Sequence, residues 1–188
     1  MTNKSLIVLL FLLAACYRVS DRIDPRVSYQ LQDRHFQQLT GAFQPLTPEE
    51  RASDWGKEYI IARSFANELD LYRAVSTFKR AEILIGESRE RKHEIQYDIV
   101  LCFFLGKRYE EAIETFEKSD LSRVDKTFPA YHDLLLILYE AYREVANEEK
   151  QTKVIELIEK TFPDTSEELK VSLAIREGDL ATIEEFAS

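Results

Sequence analysis

Residues 59–81 read YIIARSFANELDLYRAVSTFKRA, and residues 97–119 read YDIVLCFFLGKRYEEAIETFEKS. Each is an amphipathic segment, a short polar corner and a second amphipathic segment. Setting Ala74 on Ala112 places Ala62 on Val100, Phe65 on Phe103, Leu71 on Tyr109, Phe78 on Phe116 and Ala81 on Ser119. Five slots keep their size class at an offset of 38 residues, which lies within the periods of stacked-helix arrays.

Outward from this pair, helix signals recur. Thr47-Pro48-Glu49-Glu50 is a capping box with Pro at the first helical position, and it predicts one helix running to Asn67 with Gly56 as its weak point. Thr127-Phe128-Pro129 marks a further start, leading into AYHDLLLILYEAYREV at residues 130–145; this run is apolar on several sides and reads as the most buried helix. A partner helix after Asn147 stops at Phe162-Pro163. Thr165-Ser166-Glu167-Glu168 opens a fourth hairpin, which ends as a stub near Phe186. Ahead of the repeats, Asp24-Pro25 begins a helix that runs toward Gly41.

The slots resemble those of the tetratricopeptide repeat, with Ala62 and Phe65, then Leu71, Ala74, Phe78 and Ala81, filling its small and large positions. Gly106 falls one residue early for that family's turn glycine, and Gln151 stands where the third repeat calls for alanine. The resemblance implies an all-α fold, a right-handed superhelical stack of antiparallel helix pairs (a TPR-like α-solenoid) over residues 47–188. It further implies a concave face that presents Tyr59, Arg63 and Asn67, then Tyr97, Leu101 and Phe104, then Leu136, Glu140 and Arg143 to a protein or peptide partner. The family's clamp of Lys and Asn for an acidic C-terminus is absent apart from Asn67.

The chain begins MTNKSLIVLLFLLAAC, a short polar start, an apolar run and small residues, the layout of a secretory signal. Leu6 to Ala15 as a helix spans only about 15 Å, half of a bilayer's hydrocarbon. Leu13-Ala14-Ala15-Cys16 resembles the bacterial lipobox, which implies a signal peptide of residues 1–15, lipidation of Cys16 with palmitate-type chains, and a tether and N-terminal helix over residues 16–46. With Tyr and not Asp at position 17, a lipoprotein of a diderm cell is directed to the outer membrane. A plain signal peptide with an incidental cysteine, or an uncleaved hydrophobic helix, are the other readings of this leader.

Composition narrows the function. The 188 residues are 45% hydrophobic and 31% charged with five Gly and five Pro, which suits a helical domain with a genuine core. The net charge is −9, and it is uneven: residues 1–100 carry 14 basic and 14 acidic groups, residues 101–188 carry 11 and 20. Such a chain is a poor nucleic-acid binder, and Arg89, Arg91 and Lys92 read as a solvated helix face. His35, His93 and His132 have no metal-ligand spacing, no phosphate loop or nucleophile motif occurs, and Cys102 reads as a small buried hydrophobe. The sequence therefore points away from an enzyme, a cofactor or a small-molecule substrate. It points to a lipid-anchored adaptor or assembly factor of the bacterial cell envelope, with a layout similar to helical-repeat lipoproteins of outer-membrane barrel assembly and of pilus assembly. The alternative is a cytoplasmic secretion chaperone tethered by its leader.

Overall fold

The computed structural model describes residues 43–86 and 88–163. Cys16, the helix expected from Asp24-Pro25 and the fourth hairpin lie outside them. Among the described residues there are seven α-helices, one 3-10 turn and no strand: α1 Pro48–Ala52, α2 Asp54–Asn67, α3 Leu71–Leu84, α4 Arg89–Leu105, α5 Tyr109–Lys118, the 3-10 turn Asp120–Arg123, α6 Tyr131–Glu144 and α7 Glu148–Thr161. Each helix packs on its neighbours in sequence, and α4 also touches α6. Three-residue corners join α2 to α3, α4 to α5 and α6 to α7, so these pairs are antiparallel hairpins.

The corners share one backbone design. Leu69, Lys107 and Ala146 sit in the left-handed region at φ 59°, 57° and 56°, 38 and 39 residues apart. In each, the left-handed N–H reaches the carbonyl three residues back (Ala66, Phe104, Arg143), and the next N–H reaches a carbonyl five back (Phe65, Phe103, Tyr142). Paired bonds of this kind close the carbonyls a helix leaves open at its C-terminus. The residue that follows starts the next helix: Asp70 and Asn147 cap it by accepting from the N–H of Arg73 and Lys150. Gly106 precedes the left-handed residue and has an ordinary negative φ of −76°, matching Glu68 and Val145 in the other corners. The glycine is not what makes the corner.

The expected single helix from Thr47 to Asn67 is instead two. Thr47 and Glu50 form the capping box, each side chain accepting the other's backbone N–H at 3.2 and 2.7 Å. Ser53 then turns extended (ψ 159°) and caps α2 through the N–H of Gly56. Gly56 is the reason the break works: a Cβ there would lie 1.8 Å from the carbonyl oxygen of Glu50. What reads as a weak point in a long helix is the contact that lets α1 fold against α2.

The most buried helix is α4, not α6 as the apolar run of residues 130–145 suggests. Ten consecutive residues, Glu94 to Phe103, are buried. Three of them are polar and disguise the helix in the sequence. Gln96 donates to Glu82 of α3 at 2.7 Å and accepts from the Leu121 N–H at 3.1 Å. Cys102 is a free, buried thiol, as its apolar setting predicts. The third hairpin is tied on by Glu117 of α5, which accepts from Tyr142 of α6 at 2.9 Å and pairs with Lys150 of α7. Repeat-related side chains recur here too: Arg73 lies over Phe65 at 5.6 Å, and Lys150 over Tyr142 at 5.6 Å, each cation eight residues beyond its ring.

Candidate binding face

The nine residues expected on one concave face divide into three groups. Tyr97 and Leu101 are 0% exposed and line no open groove, while Tyr59, 4% exposed, belongs to the core and shows only one edge of its ring at the surface. Arg63, Phe104, Leu136, Glu140 and Arg143 are half-buried, and Asn67 is exposed. At Tyr97 the groove is filled by the chain's own Phe43. Its ring meets Tyr97 edge-on at 5.5 Å and Phe128 at 5.7 Å, and Phe128 meets Tyr97 at 6.1 Å. Burying large rings together is worth more than leaving them wet, and aromatic pairs at these separations add to it.

Arg91 holds that plug in place. It is 13% exposed, no solvated face residue, and it sits among two carboxylates and two carbonyls. Its guanidinium donates to Glu50 at 2.9 and 3.1 Å, to Glu94 at 2.8 Å, and to the carbonyls of Gln44 and Pro45 at 2.9 and 3.3 Å. Forked donors in a fixed plane suit such a junction. The Arg91 bond holds the Glu50 carboxyl below its ordinary range, whereas burial pushes the Glu94 carboxyl up despite the same arginine. Neither Arg91 nor Phe43 is a residue that sequence reading put on this face.

Two patches remain open. In one, Phe104 packs on Tyr109 at 5.8 Å beside Arg143, which forks to Glu140 and Glu144. In the other, a cavity of about 500 Å³ lies along α2, lined by Pro45, Leu46, Arg51, Tyr59, Ile60, Arg63, Ser64 and Asn67. Arg63 lies over the Tyr59 ring at 5.7 Å, and the Arg51 Nε donates to the Leu46 carbonyl at 3.0 Å.

Behind this second patch lies Asp98 of α4, 0% exposed, with no hydrogen bond meeting full geometry at either carboxylate oxygen. Burial pushes its carboxyl up to about 7, against the pull of the Arg63 charge and the Tyr59 hydroxyl and with the push of Glu94. Burial likewise raises the Tyr59 hydroxyl well above the ordinary tyrosine range. Sealed from solvent, Asp98 meets no substrate, and its effect is on stability. Among the described residues no group of three or more His, Cys, Asp and Glu is placed to hold a metal ion. None of the described helices is long and apolar enough to cross a membrane.

Comparison of the chain with protein-family models, with curated proteins and with solved structures gives no match. The arrangement of the described residues therefore carries the functional reading.

Proposed function

We propose that this chain is a lipid-anchored helical-repeat adaptor that holds other polypeptides in the bacterial cell envelope, without catalysis or a cofactor of its own. The observation that carries the reading is the recurrence of one hairpin corner at Leu69, Lys107 and Ala146. Hairpins joined by the same corner at nearly equal spacing stack in a common sense, and right-handed TPR-like stacking presents the first helix of each pair on one side. Support also comes from the first helix of each pair: half-buried Arg63 near exposed Ile60 and Ile61 on α2, half-buried Phe104 on α4 and half-buried Arg143 on α6, aromatic and arginine residues being those that binding surfaces favour. The lipobox at Leu13–Cys16 supplies the address, with the outer membrane as its destination in a diderm cell. Multiple acyl chains hold where one alone is marginal.

Two experiments test the two parts. Labelling of growing cells with radioactive palmitate gives a labelled chain that Cys16→Ala abolishes; unchanged label in that variant removes the anchor. A photocrosslinking residue at Phe104 captures another polypeptide in intact cells; the absence of any adduct removes the adaptor. The cytoplasmic chaperone reading is separated by a periplasmic reporter fused after Ser188, which is active only when the chain is exported.

A further inference from the structure

The other cavities along these helices are each lined by charges of both signs. Between α3, α4 and α5, Lys92 faces Asp120 at 3.4 Å, Arg108 pairs with Glu111 at 2.5 Å, and Lys118 pairs with Glu114. The cavity on α2 is different. Arg51 and Arg63 line it, no acidic residue does, and among the described residues neither arginine forms an ion pair. In a chain of net charge −9, a cavity lined by two guanidinium groups and no carboxylate is an exception that needs a reason.

The cavity is built, not incidental. Its far wall is held through backbone carbonyls, that of Pro45 by Arg91 at 3.3 Å and that of Leu46 by Arg51 at 3.0 Å. Its floor is the buried ring of Tyr59, and Ile60 stands on the rim 46% exposed, with Ile61 beside it at 45%. Asp98 is the carboxyl that could neutralise Arg63 from behind, but burial keeps it largely protonated below about pH 7. Arg63 thus offers its charge outward. The volume of about 500 Å³ is in the range of preformed ligand sites and mixes apolar and hydrogen-bonding surface.

We propose that this cavity takes an acidic side chain from an extended peptide segment, with the carboxylate on Arg63 and Arg51 and a neighbouring aliphatic residue against Ile60 and Leu46. This rests on the reading of the chain as a holder of polypeptides and names the chemistry of what it holds. Arginine forks match a carboxylate in two-point geometry, and a pair on half-buried Arg63 is stronger than one between exposed side chains. Polyanions are a worse fit, because the rest of the chain repels them.

The test uses the full-length chain in mild detergent and a fluorescent peptide of Leu and Ser residues with a single central Glu, acetylated and amidated at its ends, read by fluorescence polarisation at low salt. The expected result is saturable binding that weakens roughly tenfold or more when Glu is replaced by Gln in the peptide, or when the protein carries Arg51→Gln and Arg63→Gln together. Circular dichroism and unchanged thermal unfolding establish that the double variant is folded. Equal binding of the Gln peptide, an unaffected double variant, or no binding of any peptide overturns the proposal. Preference for a peptide whose sole acid is a free C-terminus or a phosphoserine also overturns it, in favour of that group. If capture from Phe104 in cells persists in the double variant while the peptide assay shows no charge dependence, the adaptor reading stands and this site falls.

Discussion

Two stretches of one expected groove have opposite fates. At Tyr97 the chain fills the space with its own Phe43 and closes it with Arg91, whose donors all find acceptors. At Arg63 the surface stays open, and among the described residues its cations form no ion pair. What separates the two is the pairing of charge: the closed half joins Glu50, Arg91 and Glu94 in one network, and the open half exposes Ile60 and Ile61 beside two arginines that form no ion pair among the described residues.

The contrast can be broken most forcefully at Arg91. Arg91→Ala leaves the Glu94 carboxylate buried without a partner and frees the segment that carries Phe43, so it is expected to cost about 3–5 kcal/mol in urea unfolding. A loss below about 1 kcal/mol would show that the closed half does not depend on its hub.

Asp98 gives the next effect, with a sign set by its shift. Its folded value of about 7 lies above the ordinary 3.8, so between these values the folded chain holds a proton that the unfolded chain releases. Stability from this group is full below about pH 4, falls as pH rises toward 7, and levels off above. Asp98→Asn removes most of that slope and raises stability at pH 8 by on the order of 2 kcal/mol, checked by denaturant unfolding across pH. A wild-type profile flat from pH 4 to 8 would contradict the buried, unsatisfied carboxylate.

Smaller is the effect at the corners. Lys107→Gly relieves a left-handed non-glycine residue and stabilises by about 1 kcal/mol, provided the three corners are alike. Smallest of all is the stability change in Arg51→Gln with Arg63→Gln, expected within about 1 kcal/mol because among the described residues neither forms an ion pair and only the Arg51 bond to the Leu46 carbonyl and the Arg63 contact with Tyr59 are lost. A large loss there would move those arginines from docking surface to framework.

What could be read from the sequence was local. The Thr47–Glu50 box, the helix after Asn147 and its stop before Pro163 each depend on residues within four positions, and each stands where it was read. The helical class and the 38-residue spacing follow from the same short-range pattern. What could not be read depended on distant partners. Gln96 reads as a plain polar position of α4 until Glu82 and Leu121 are brought alongside, and Gly56 looks like a flaw until the Glu50 carbonyl is seen against it. The plugging of the groove was hidden for the same reason, since Phe43 lies 54 positions from Tyr97 in a stretch with no helical pattern.

The division of this face is most directly tested by hydroxyl-radical footprinting of the intact chain, read residue by residue with mass spectrometry. The account predicts rapid modification of Ile60 and Ile61 and strong protection of Phe43, Tyr97 and Phe128. Modification of Phe43 and Tyr97 as fast as Ile60 would mean that the groove is open along its whole length, and would contradict it.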